Sequence, residues 1–175
     1  MDPDRLPLRA LIDTGVLLRF LGDQPHDPRA PACKAFCQAM LAAGRELLIA
    51  APTIAEVARH SGQPVPRMQG VVVVPFDDRA AELLALRIPM AKLHEAKTST
   101  GLSLPYLKYD ALIVACALRA RADAIVTLDG DCSKLATGIG IRVALPSEFE
   151  SKQRILPGVS LEPQPKKPVR ARGRR

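Results

Sequence analysis

Five short aliphatic runs, separated by helical patterns, constrain this chain more than any other feature. Residues 8–13, 47–51, 71–74, 124–127 and 141–145 read as strands. Between them, 15–21 reads as a short helix. The spacing of Ala32, Ala35, Phe36, Ala39, Met40 and Ala43 predicts a helix over 28–43 that stops at Gly44. Pro52-Thr53 suits the first turn of the next helix. Asp77 is an N-cap for a helix through Leu83, Leu84 and Leu86 that Pro89 ends or kinks. Ser61 to Gly70 is a Gly/Pro-broken connector, and Thr98 to Pro105 reads as a polar loop. A helix is expected over 109–121, apolar on all sides from Ala111 to Leu118 and so buried between layers. A short helix follows at 132–136. The continuous Val71–Val74 run predicts a strand covered on both faces. This alternation specifies an α/β fold, a three-layer α/β/α sandwich around a mostly parallel five-stranded sheet.

Composition sets the limits of that fold. The chain has 175 residues, with no Trp, two Tyr and four Phe, so its core is aliphatic. Cys33, Cys37, Cys116 and Cys132 match neither a disulfide framework nor a zinc spacing with His26, His60 and His94, and read as buried small residues. No apolar run approaches a membrane span, and the N-terminus lacks a signal-peptide plan, so a soluble cytoplasmic protein is expected. The net charge of +7 is not spread evenly. Residues 151–175 hold eight basic side chains against Glu162 alone; taking these from the totals leaves 1–150 neutral. Prolines and basic residues dominate that segment. It reads as a disordered basic tail appended to a domain of residues 1–150.

Four carboxylates fall where strands end or helices begin. They are Asp13 in Leu-Ile-Asp-Thr-Gly-Val-Leu-Leu, Glu56 in Pro-Thr-Ile-Ala-Glu-Val, Asp110 in Asp-Ala-Leu-Ile-Val-Ala-Cys-Ala, and Asp129 in Val-Thr-Leu-Asp-Gly-Asp-Cys-Ser-Lys-Leu. Taken singly, Asp110 reads as a helix cap and Asp13 as a turn residue. Together, in a parallel sheet, the four point into one crevice. Such acids repel one another unless a cation neutralises them, and an oxygen-only donor set suits Mg²⁺ or Mn²⁺. With no side-chain nucleophile paired to a base, the expected chemistry is metal-assisted hydrolysis of a phosphodiester by water.

In these four motifs the chain resembles the PIN-domain nucleases, and within them the VapC-type toxins, over residues 8–150. The resemblance implies a Mg²⁺- or Mn²⁺-dependent endoribonuclease, often a homodimer, blocked in the toxin branch by a cognate antitoxin. It implies that Asp13, Glu56, Asp110 and Asp129 are the catalytic, metal-binding acids, with Asp131 as an auxiliary ligand and Thr14 and Thr127 as supporting hydroxyls. By the same analogy, Ser61 to Gly70 helps form an antitoxin groove. Two positions depart from the pattern. Gly15 stands where Asn is common, loosening local hydrogen bonds, and Cys132 stands where Phe is usual, a packing change.

Three other readings compete with the toxin. Asp-Thr-Gly also resembles the catalytic loop of retroviral-type aspartic proteases, but that fold is nearly all strand. A non-toxin RNA-processing nuclease shares every motif, and a non-catalytic RNA- or protein-binding module would not need every acid. For substrate contacts the candidates are Lys92, Lys97 and Lys108 around the Asp110 loop, and Arg170, Arg172, Arg174 and Arg175 in the tail. The tail has charge for phosphates but no aromatic side chain for bases.

Overall fold

The computed structural model describes residues 1–150; the tail expected over 151–175 lies outside the described residues. The strands are β1 (Arg9–Ile12), β2 (Glu46–Ala50), β3 (Val71–Val74), β4 (Ala124–Val126) and β5 (Arg142–Ala144). The helices are α1 (Thr14–Leu21), α2 (Ala30–Ala42), α3 (Ala51–Ser61), α4 (Asp78–Arg87), α5 (Met90–Thr100), α6 (Leu104–Arg119) and α7 (Gly130–Ala136). All four strand pairings are parallel, in the order β3-β2-β1-β4-β5.

Side-chain alternation sorts the strands into two cores. Leu11, Leu48 and Ile125 face one way and pack against α5, α6 and α7, chiefly through Leu93, Leu107, Val114 and Leu135. Ala10, Ile12, Leu47, Ile49 and Val126 face the other way, onto Val16 and Leu17 of α1 and Cys33, Phe36 and Met40 of α2. Both faces are covered, which is why β1, β2 and β4 read as unbroken apolar runs. All four cysteines are buried thiols, and burial raises the pKa of each. The layered α/β architecture excludes the all-strand protease fold.

Three expectations need correction. Val72 and Val73 are 46% and 52% exposed, so the four-valine run is not covered on both faces. It forms the edge strand, bonded on one side only, where helical cover runs out. The polar loop over 98–105 shrinks to three residues, because α5 continues to Thr100 and α6 starts at Leu104. Pro105 sits in the first turn of α6, where its missing N–H costs nothing. Asp110 therefore lies well inside a helix rather than at its start, and capping does not explain it.

Two helix boundaries fall where local chemistry put them. Asp77 caps α4, accepting the Ala80 N–H at 3.0 Å, and Pro89 separates α4 from α5.

Candidate metal-binding active site

The strand order reverses direction between β1 and β4: β2 and β3 lie to one side of β1, and β5 lies beyond β4. In open parallel sheets the crevice at the carboxyl ends of such strands is where ligands bind. Here it is a cavity of about 540 Å³. Asp13, Glu56, Asp110 and Asp129 all line it.

Each acid arrives by a different route. Asp13 follows β1 and caps α1, with Oδ1 accepting the Val16 N–H at 2.8 Å. Its other oxygen accepts the Thr127 hydroxyl, just past β4. The Thr127 oxygen in turn accepts the Asp129 N–H at 2.8 Å, so one buried hydroxyl sets both aspartates. Glu56 projects from the second turn of α3 and accepts the Thr14 hydroxyl. Asp110 comes from the middle of α6. The two threonines named from sequence thus hold two of the acids directly.

Electrostatics records the crowding. Burial, opposed by hydrogen bonds from Thr127 and Val16, pushes the Asp13 carboxyl above its ordinary value, and the Asp129 charge pushes the same way. The Cys132 thiol is raised mainly by burial, and next by the charges of Asp13, Asp110 and Asp129. The Tyr109 phenol is likewise raised by burial and by the Glu56 charge.

Among the described residues, no three His, Cys, Asp or Glu side chains stand together as a finished metal cage. The cavity is instead a basin of carboxylate oxygens with room for water. That suits Mg²⁺, which keeps several waters and takes only one or two carboxylates directly. The four acids offer only hard oxygen donors, and burial disfavours the ionised form of Asp13. The residues fit a divalent ion of the Mg²⁺ or Mn²⁺ type.

Some predicted residues are elsewhere. Lys92, Lys97 and Lys108 do not line the cavity. Lys92 donates to the Thr137 carbonyl, and Lys108 borders an apolar groove between α4, α5 and α6. Once the loop before Asp110 becomes helix, Lys108 is carried round the helix from the carboxylate. The side chain of Asp131, and Arg170, Arg172, Arg174 and Arg175, lie outside the described residues.

Other lining residues were not legible beforehand. Arg29, Tyr106 and Tyr109 all border the cavity. Arg29 lies 16 positions after Asp13 in an irregular stretch, with no motif to flag it. Tyr106 falls between the expected loop and the expected helix, and Tyr109 opens that helix, so neither belonged to a motif. The Gly15 carbonyl accepts the buried Arg19 Nη1 at 2.7 Å.

Comparisons with known proteins identify the family and the fold. A family model described as PIN domain matches residues 10–138. The chain belongs to the PIN domain family. A solved structure, described as FitAB bound to an IR36 DNA fragment, is similar over 82% of this chain and 99% of that one, with a TM-score of 0.51. At 18% identity that likeness concerns the fold alone. No curated protein matches the chain. Among the described residues, no helix is long and apolar enough to cross a membrane.

Proposed function

We propose that this PIN domain is a metal-dependent endoribonuclease and the toxin of a two-protein system, with Asp13, Glu56, Asp110 and Asp129 as its metal-binding acids. The observation that carries this reading is four acids from four separate segments lining one cavity at the strand-order reversal. When bound, Mg²⁺ or Mn²⁺ supplies Lewis acidity, polarising a phosphoryl oxygen and lowering the pKa of the attacking water. The protein's own part is to hold the acids. Thr127 orients Asp13 through its hydroxyl and Asp129 through that residue's backbone N–H, while Thr14 holds Glu56. Asp13 is fixed further by the α1 N–H that it caps. Asp131 is an auxiliary ligand in this reading.

A cognate antitoxin and a homodimer belong to the same proposal, supported by the resemblance of the four motifs to toxin sequences. Incubation of the purified chain with RNA and Mn²⁺ should give cleavage that a chelator abolishes and that Asp13→Asn and Asp110→Asn lack. RNA binding with no cleavage in any metal would turn the reading to a non-catalytic module. Conditional expression of wild type against Asp13→Ala, scored for growth arrest, separates a toxin from an RNA-processing nuclease. A short upstream reading frame encoding a DNA-binding protein supports the toxin.

A further inference from the structure

A nuclease pocket lined by four acids has to hold a polyanion. With all four ionised, Arg29 is the one cation among the described lining residues. A single divalent ion would leave that lining net negative, and an RNA phosphate would still be repelled. Any positive charge fixed at the rim therefore matters to substrate capture.

Arg29 is fixed. Its backbone N–H and Nε donate to Asp27 Oδ1 at 2.8 and 3.1 Å, and Nη2 donates to Oδ2 at 2.9 Å. Those bonds leave Nη1 with no protein partner among the described residues. Asp27 also takes the buried Arg19, whose other nitrogen reaches the Gly15 carbonyl, directly after Asp13-Thr14. The Arg19–Asp27–Arg29 trio keeps one net positive charge and ties the half-exposed Arg29 to the turn bearing the first carboxylate. A guanidinium held in this way loses little freedom on meeting a phosphate.

The second feature is aromatic. The chain has only two tyrosines, and both line this cavity. Tyr109 is tied down, its hydroxyl donating to the Pro52 carbonyl at 3.0 Å. Tyr106, one turn earlier on α6, is 70% exposed and presents its ring to solvent at the cavity mouth. An exposed tyrosine alone is ordinary. One that lines the same cavity as an anchored arginine, in a pocket read as built for phosphodiester chemistry, offers what an unstacked base and its phosphate require.

We infer that Arg29 and Tyr106 form the substrate-holding rim of the carboxylate pocket: Arg29 takes a phosphate of single-stranded RNA, and Tyr106 stacks on a neighbouring base. This rests on the nuclease reading for its choice of RNA, but binding tests it separately from cleavage. The full-length chain is titrated with a short fluorescein-labelled single-stranded RNA in Ca²⁺, over a range of salt. Arg29→Ala should weaken binding and flatten the log–log salt slope by about 0.7, one phosphate contact. Tyr106→Ala should weaken binding by about 5- to 150-fold with the slope unchanged, and Tyr106→Phe should retain it. In Mn²⁺, both alanine variants should lose kcat/KM mainly through KM.

A merely structural role would not divide salt dependence from stacking in this way. Unchanged affinity and slope in both alanine variants, with cleavage intact and lost in Asp13→Asn, would overturn the rim and leave the nuclease standing. The expected binding pattern without cleavage by wild type would uphold the rim and overturn the nuclease. Failure of wild type to bind RNA would overturn the rim.

Discussion

The Thr127 hydroxyl donates to Asp13 Oδ2, joining the ends of β4 and β1 across 114 positions of sequence. The same oxygen accepts the Asp129 N–H, so the bond couples the two aspartates at the sheet's reversal point. Thr127 is buried, and a buried hydroxyl that serves a carboxylate has no water to replace it.

Thr127→Val keeps the shape of the side chain and removes that bond. Hydrogen bonds to charged groups contribute about 1.5–3 kcal/mol, so Mn²⁺ affinity should fall by roughly 10- to 150-fold. Calorimetric titration of both proteins measures it. An unchanged affinity would mean that Thr127 only fills space.

Asp13→Asn should raise the thermal stability of the metal-free protein. The folded-state pKa of Asp13 lies above its ordinary 3.8, chiefly through burial, so ionising it opposes folding. The penalty is present at neutral pH and gone below the ordinary value; metal-free wild type should therefore gain on Asp13→Asn as the pH falls. In a domain this size each kcal/mol is about 2–4 °C of Tm. Mn²⁺ should raise the Tm of wild type more than that of the variant, and equal responses would remove Asp13 from the metal site.

Asp77→Ala should lower the Tm at neutral pH and leave the carboxylate pocket intact. Asp77 accepts the Ala80 N–H at the start of α4 and pairs with Arg119 of α6 at 3.0 Å. The Ala80 bond, with Arg119 adding to it, holds the Asp77 carboxyl below its ordinary 3.8. Its contribution is therefore present above that value and lost as the pH falls through the folded-state pKa. The Tm difference between wild type and variant should shrink in acid. A difference that did not change with pH would assign the effect to packing alone.

Deleting residues 157–175 tests the basic tail as an RNA-capture arm. With about five charges engaged on single strands, removal should flatten the log–log salt slope of RNA binding by about 3.5. An identical slope in the truncated chain would make the tail a bystander.

Much of the fold was legible because its signals are local. Strand runs with β-branched and aliphatic residues, the Gly44 stop, the Asp77 cap and Pro89 each act within a few residues of themselves. The failures were of a different kind. Val71–Val74 carries the apolar run of a covered strand, yet it lies at the sheet edge, and no local rule states which strand is last. Residues 98–105 look polar and Pro-broken, but Pro105 is harmless in a first turn, and packing of Leu107 and Ala111 extends α6 back to Leu104. Tyr106 and Lys108 fall between that loop and the helix expected from 109, where no periodicity gave them a face.

By itself the sequence determined the alternation of strand and helix, the two-sided apolar core and the identity of the four acids. Those follow from side-chain periodicity and charge, which each segment carries wherever it goes. Only the tertiary structure decided that the acids share one cavity, that Thr127 serves two of them, and that Arg29 stands among them. Such facts depend on strand order and helix placement, which are set by how distant faces pack and not by any single stretch of chain.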